Sequence, residues 1–435
     1  MEEIYVPVHD NSSSIERTLR LMSYTSWFMG VGIAHPLKCP KFVTIIIRII
    51  HLVICTVILI KHLQFVSSFV YFKSNTSVNK WFFAMGNMIY CVSTYYSIYH
   101  GIRQYEWPEL MDKMKQLDRK IRRDVHMNDQ PVRYMVATAI LMTFACSPLF
   151  TIVLVLYDFM KHSNDTYVTD YAFYYMMARS LINSFVFDVV VYVLYYRYRT
   201  TNKMLGHLDK LSDAPLIALK IRRIRELHND ICDLVIMIND IHGLHLLLCS
   251  TNSLFMVTST LYSAYLNTMK EEYDDMLIDY MTAIIYTMQF GLICWICTLA
   301  CQEFGKIKII MNTIALKCKS MNFDKLNETR NQSSLETRSP LQDSDSEQNS
   351  NWSNSHDWNY VVMENLLSKI LDRDYVSDEI NWFLIQLQQR RVSFTACDFF
   401  EMSNNLFCSV STIFTSYNLC KINYFQIALN MFQSH

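Results

Sequence analysis

Seven predominantly apolar stretches, each of about 20 residues or more, partition this chain, at approximately 43–70, 79–103, 134–158, 170–196, 240–267, 279–301 and 404–430. A helix needs about 20 residues to cross some 30 Å of hydrocarbon. Lipid offers no partner to a backbone N–H or C=O, so runs of this length must satisfy their own hydrogen bonds as helices. The expected fold class is therefore an all-α membrane protein with seven transmembrane helices. Composition agrees: 51% of 435 residues are hydrophobic, with only 8 Gly and 8 Pro. A soluble chain this long would normally divide into domains with more turn residues. A net charge of −1 gives no general attraction to nucleic acid, so none is expected as a partner. The acidic opening Met1-Glu2-Glu3 is unlike a cleaved signal peptide.

Basic residues set the expected orientation. The loop after the second stretch carries Arg119, Lys120, Arg122 and Arg123, and that after the fourth carries Arg197, Arg199, Arg222 and Arg223. The loop after the fifth is acidic instead, with Glu271, Glu272, Asp274 and Asp275. This places the N-terminus in the cytosol and the C-terminus outside. The sequons at Asn75 and Asn164 then lie outside, where glycosylation requires them.

The basic stretches also show helical periodicity. Leu110, Met114, Leu117 and Ile121 form one apolar stripe; Ile217, Ile221, Ile224, His228, Ile231 and Val235 form a second; Ile380, Leu384 and Leu387 form a third. They predict membrane helices prolonged into the cytosol and packed by those stripes, with His228 a buried structural histidine. The expected layout is a cytosolic N-terminus (1–42) and a six-helix ligand-binding bundle (43–301) with cytosolic extensions at 104–133 and 197–239. A cytosolic region (302–403) follows, holding an anchor helix and a Ser/Asn/Asp/Gln-rich insert at 327–358 too polar to order itself. The seventh helix and tail (404–435) close the chain.

Signatures of catalysis are lacking: the chain has no Gly-x-Gly-x-x-Gly, no phosphate loop, no His-Glu-x-x-His and no nucleophile in a recognisable setting. It is not expected to be an enzyme. The 13 cysteines are scattered, several inside apolar runs, and Cys294-x-x-Cys297 sits within a span without a second ligand pair. No metal or cofactor is expected.

Ionisable residues within a bilayer are costly and hence candidates for function. Arg179 lies in an aromatic stretch with Tyr175, and the residues leave open a ligand-facing guanidinium or a structural, snorkelling side chain. For Asp188 and Arg48 the structural reading is the favoured one. Phe255 and Tyr262 in the fifth span, and Tyr286 and Gln289 in the sixth, supply the aromatic and amide mixture of a small-molecule pocket. An interfacial aromatic belt would use the same residue types.

The seventh stretch carries a polar seam. Asn405, Ser409, Thr412, Ser416, Leu419, Asn423, Gln426 and Asn430 recur every three or four positions, while Phe407, Val410, Phe414, Phe425 and Phe432 take the other side. A spanning helix with a continuous polar face needs water or sister helices against it. Water is the preferred reading, making Ser409, Thr412, Ser416 and Asn423 pore-lining.

Phe394-Thr395-Ala396-Cys397, followed by Phe399-Phe400 and this helix, resembles the insect gustatory receptor family. That family's seventh helix carries Thr-Tyr, five residues, Gln-Phe. Here Ser416-Tyr417, five residues and Asn423-Tyr424 stand at the matching positions. The resemblance implies a ligand-gated, non-selective cation channel, a homo- or hetero-tetramer with other gustatory receptors, in the plasma membrane of chemosensory neurons. It further implies a small-molecule tastant bound in the outer half of the first six helices and, around the protein, membrane lipid. An insect odorant receptor subunit is the nearest alternative, and a secondary transporter the reading from another class.

Overall fold

A computed structural model describes residues 15–30, 40–72, 78–103, 106–125, 127–146, 168–206, 214–269, 273–335 and 375–412, with isolated positions at 149, 152–153, 156, 208 and 416. The described chain is all-α apart from one small hairpin. Its helices are α1 (Ile15–Phe28), α2 (Lys41–Phe72), α3 (Val78–Arg103), α4 (Glu106–Arg122) and α5 (Gln130–Leu141). A π-helical turn, Met142–Cys146, follows α5. Pro148, two residues further on, has no N–H to continue a regular ladder. Then come α6 (Val168–Gly206), α7 (Ala214–Met269), α8 (Tyr273–Leu335), α9 (375–389) and α10 (404–412). Between the last two lies a hairpin of β1 (Thr395–Ala396) and β2 (Phe400–Glu401).

Among the described residues, four segments are long and apolar enough to cross a membrane: Lys41–Gln64, Tyr175–Gly206, Pro215–Tyr265 and Met276–Leu316. They match the first, fourth, fifth and sixth expected spans. The second is helical throughout as α3, though less apolar, and the third begins in α5 and its π turn. The seventh begins in α10, most of it lying outside the described residues.

Two compact units share the chain. One comprises Met1–Tyr196, Asp233–Cys301 and Ser393–His435; the other Arg197–Cys232 and Gln302–Val392. In the first, α6 supplies the core: Phe187, Val189, Val190, Val191, Val193 and Leu194 are all at most 1% exposed. By contrast Ile45, Ile49, Val53 and Val57 of α2 are each at least half exposed. So broad an apolar face suits hydrocarbon rather than water. α1 packs on α4 and α5, and the α4 stripe Leu110, Met114, Leu117 and Ile121 is buried as its spacing predicts.

The second unit buries most of the other two stripes, Ile221, Ile224, His228 and Ile231 with Ile380 and Leu387, while Ile217 and Leu384 are half-buried and Val235 is buried in the first unit. His228 is fully buried between the rings of Phe304 and Phe383, at centroid distances of 4.9 and 5.5 Å. Gln386 of α9 lies 3.2 Å from its Nδ1, and Arg225 pairs with Glu379 at 3.2 Å. One boundary moves: α8 continues to Leu335, so helix occupies the start of the insert expected from Asn327, whose remainder, 336–358, lies outside the described residues.

The hairpin explains the Phe394-Thr395-Ala396-Cys397 signature. Thr395 pairs with Glu401 and Ala396 with Phe400, and Met402 N–H donates to the Phe394 carbonyl at 2.8 Å. Cys397 and Asp398 take φ of 51° and 59°, a left-handed conformation that costs non-glycine residues about 1–2 kcal/mol each. Three contacts oppose that cost. The Thr395 hydroxyl donates to Asp398 Oδ1 at 2.9 Å, Asn239 of α7 bonds both the Ser393 carbonyl and the Thr395 N–H, and Phe394 is fully buried. Gly243 of α7 permits the approach, since a Cβ there would stand 3.1 Å from Cys397 N.

Candidate functional site

A small polar cavity lies within the first unit, walled by α3 (Tyr90, Ser93, Thr94, Ser97), α6 (Met176, Arg179, Ser180, Asn183) and α7 (His245). Its volume of about 20 Å³ has room for about one water molecule. The wall on α3 is built by spacing: Asn87, Tyr90, Thr94 and Ser97 recur every three or four residues and share one buried face. On α6, Met176, Arg179, Ser180 and Asn183 do the same.

His245 ties two helices together. Its Nδ1 lies 3.3 Å from Ser93 Oγ and its Nε2 3.4 Å from Ser184 Oγ. Either tautomer suits this arrangement, because each hydroxyl can donate or accept. Gln289 of α8 donates to Ser184 Oγ at 2.9 Å and to Cys249 Sγ at 3.3 Å, and Tyr90 donates to Tyr286 Oη at 3.1 Å. The cavity is therefore one face of a polar network spanning α3, α6, α7 and α8.

Arg179 is 3% exposed. It donates to the Gly30 carbonyl just after α1 and, at 3.5 Å, to Cys55 Sγ on α2. Gly30 closes α1 with φ of +65°, its N–H bonded to the Trp27 carbonyl. A side chain at that position would overlap the His51 ring. His51 in turn bonds the Tyr175 hydroxyl and lies 3.3 Å from the Phe28 carbonyl. The Arg179 guanidinium thus joins the end of α1 to the cavity wall.

Of the expected ligand-binding residues, Arg179 lines the cavity. Tyr286 and Gln289 are buried and reach it through Tyr90 and Ser184. Tyr175 bonds His51 and Arg179 and is not part of the cavity wall. Phe255 and Tyr262 are half-buried on α7 and are not part of the cavity wall. Asp188 is 1% exposed, with no hydrogen-bond partner for Oδ1 among the described residues, whereas Arg48 is half-buried. Sequence reasoning missed Tyr90, the α3 hydroxyls and His245 as wall residues. The periodicity that revealed the seam at the chain's end was available on α3 as well.

At the pore-lining candidates, Ser409, Thr412 and Ser416 are exposed, and Thr412 Oγ1 bonds the Cys408 carbonyl at 2.8 Å. Opposite them Phe407 packs on Phe290, with centroids 6.0 Å apart, and against Gly291. Ser403 starts the helix as its N-cap, accepting from the Leu406 N–H at 3.3 Å, and Thr298 accepts from the Asn404 N–H at 2.9 Å. Tyr417, Asn423 and Tyr424 lie outside the described residues, as do the sequons at Asn75 and Asn164. No three His, Cys, Asp or Glu side chains among the described residues form a metal-binding group.

A helical membrane protein with a buried polar cavity between its spans is the class this architecture defines. Residues 19–328 match the sequence profile described as "7tm Chemosensory receptor", and the chain belongs to that family. No curated protein matches it in sequence. Among solved structures it is similar to the insect olfactory receptor OR5 from Machilis hrabei. That likeness has a TM-score of 0.59 at 10% identity, covering 93% of this chain and 96% of the other. The same receptor in complex with eugenol gives 0.58 at 9% identity, covering 95% and 100%. At such identities the likeness shows the fold alone.

Proposed function

We propose that this chain is a gustatory receptor subunit: a ligand-gated, non-selective cation channel of the plasma membrane, opened by a small-molecule tastant. The observation that carries the reading is the division of α10. Its hydroxyl face at Ser409 and Thr412 is exposed, while Phe407 anchors the opposite face to α8. A spanning helix with an unburied polar face requires water or other protomers beside it. Uncharged hydroxyls and amides around a shared lumen, continued by Ser416 and Asn423, would pass cations with little discrimination. Four copies, identical or mixed, enclose such a lumen, with the N-terminus cytosolic, the C-terminus outside and glycans at Asn75 and Asn164.

Gating follows from a difference in affinity. A ligand that fits the cavity between α3, α6 and α7 better when the helices are spread shifts the closed–open equilibrium by that difference. The likeness to an olfactory receptor whose structure was obtained with eugenol supports a small-molecule ligand and keeps an odorant receptor subunit as the alternative. Whole-cell recording from cells expressing the chain, challenged with panels of tastants and odorants, tests the proposal. Ligand-evoked ohmic current is expected; saturating, coupled flux without channel openings would overturn it in favour of a transporter.

A further inference from the structure

We infer that the cavity takes a small carboxylate bearing an adjacent hydrogen-bond donor, the chemistry of a short hydroxy or amino acid. The inference rests on the receptor reading above and specifies its ligand class. Two buried groups carry it. First, Arg179 has no carboxylate within ion-pairing distance among the described residues; its partners are the Gly30 carbonyl, the Cys55 thiol and the Tyr175 hydroxyl, none of them a full counter-ion. A buried guanidinium without a counter-ion is strongly unfavourable, and a planar carboxylate is its best-matched partner. Asp188 on the same helix lies about 13 Å further along the axis.

Second, Asn183 also lines the cavity, is 4% exposed, and its Oδ1 makes no hydrogen bond among the described residues. An unsatisfied buried acceptor is costly, and a ligand O–H or N–H would satisfy it. Arg179 and Asn183 are four residues apart on α6, so both side chains emerge on one face of the helix. Ser93, Thr94 and Ser97 opposite supply further hydroxyls, and Met176 is the one wholly apolar side chain of the wall. A large apolar odorant would leave these polar groups desolvated and unpaired. At about 20 Å³ the cavity as it stands holds one water, so even a ligand of few atoms enters only as α3 separates from α6, and each added atom demands further separation.

Three probes separate the two requirements: lactate carries both groups, propionate the carboxylate alone, and lactamide the donor without charge. Binding is measured by calorimetry at pH 7.4 on the full-length protein in lipid nanodiscs, and currents in cells expressing the same chain. Lactate is expected to bind at least about tenfold more tightly than lactamide, with propionate between them. Arg179→Gln is expected to erase the preference for charge and Arg179→Lys to retain part of it. Thermal unfolding reports whether each variant is folded, and the wild-type ranking stands without either.

Lactamide binding as tightly as lactate, or an unchanged preference in folded Arg179→Gln, would overturn the inference. So would a neutral tastant opening the channel while lactate neither binds nor evokes current, which leaves the receptor reading intact. Arg179-dependent lactate binding with no current from any ligand supports the carboxylate site and overturns the channel reading instead.

Discussion

Phe394 meets Phe187 edge to face, with ring centroids 6.2 Å apart and planes at 87°. This contact inserts the residue before the hairpin into the core of α6, and His242 touches the same Phe187 ring at 5.5 Å. Phe394 is fully buried, so its loss leaves a cavity beneath a turn that is already conformationally costly. Phe394→Ala should destabilise the protein by about 3–5 kcal/mol. Thermal unfolding of detergent-purified protein checks this; a midpoint within a degree of wild type would show that the hairpin is not seated on that ring.

Gly243 faces the hairpin backbone, not a flexible side chain. Its missing Cβ leaves 3.1 Å to Cys397 N, tighter than ordinary packing, and backbone cannot rotate away. Gly243→Ala should displace the hairpin slightly, and Gly243→Val should displace it decisively. The expected result is normal membrane insertion with sharply reduced ligand-evoked current, since α10 follows directly. Surface biotinylation alongside recording separates lost function from lost protein, and wild-type current in Gly243→Val would refute the coupling.

Gly30 combines two demands, a left-handed φ and a space already filled by the His51 ring. Gly30→Ala violates both, and the carbonyl that accepts from Arg179 must move with it. The variant should lose about 1–3 kcal/mol of stability and weaken the link between α1 and the cavity wall. Protection of residues 15–30 from hydrogen exchange should fall while that of α6 stays high. Unchanged protection over α1 would argue against the Arg179–Gly30 bond as its anchor.

How much of this was legible beforehand depended on whether a feature is periodic or long-range. The stripe Leu110–Met114–Leu117–Ile121 and the seam from Ser409 announce themselves by spacing, because a helix puts every third or fourth side chain on one face. Arg179 could be singled out by its cost in a bilayer, but nothing local points to Gly30, 149 residues earlier in the chain. His242 and His245 are three apart on α7, yet that spacing says nothing of Ser93 and Ser184, the distant hydroxyls His245 meets. Phe255 and Tyr262 show the opposite failure: aromatics seven apart mark a face without saying what it faces. The turn at Cys397-Asp398 was hidden for another reason. Left-handed backbone is usually flagged by glycine, and here hydrogen bonds and a buried phenylalanine enforce it on other residues.

His228 predicts a pH response in the second unit. Burial holds its pKa down at about 4, against an ordinary 6.5, with the charge of Arg390 adding to the depression. Cys232 Sγ at 3.7 Å and Gln386 Nε2 at 3.2 Å face its Nδ1, and neither is an anion able to stabilise the protonated ring. The unfolded chain therefore takes up a proton that the folded one refuses. Stability is full above about pH 6.5, declines as pH falls, and stops changing below about pH 4. From pH 7.5 to 5 the expected loss is about 2 kcal/mol. Chemical denaturation followed by Trp382 fluorescence should show this slope, and His228→Phe should flatten it; an unaltered slope would assign the effect elsewhere.

The two faces of α10 can be told apart chemically. Ser409 and Thr412 are exposed, whereas Phe407 is held against Phe290 and Gly291. Cys397 and Cys408 are exposed, and Cys39, Cys318 and Cys420 lie where no side chain is described, so all five are first replaced by Ala to remove background reactivity. In that background Ser409→Cys and Thr412→Cys should react with a charged methanethiosulfonate reagent, faster when ligand is present, and modification should block current. Phe407→Cys should react at least about tenfold more slowly, because the reagent cannot reach a sulfur packed against α8. A charged reagent enters water but not hydrocarbon, so its access distinguishes an aqueous lumen from a lipid-facing seam. Unreactive 409 and 412 positions in a protein that still conducts would place the permeation path elsewhere.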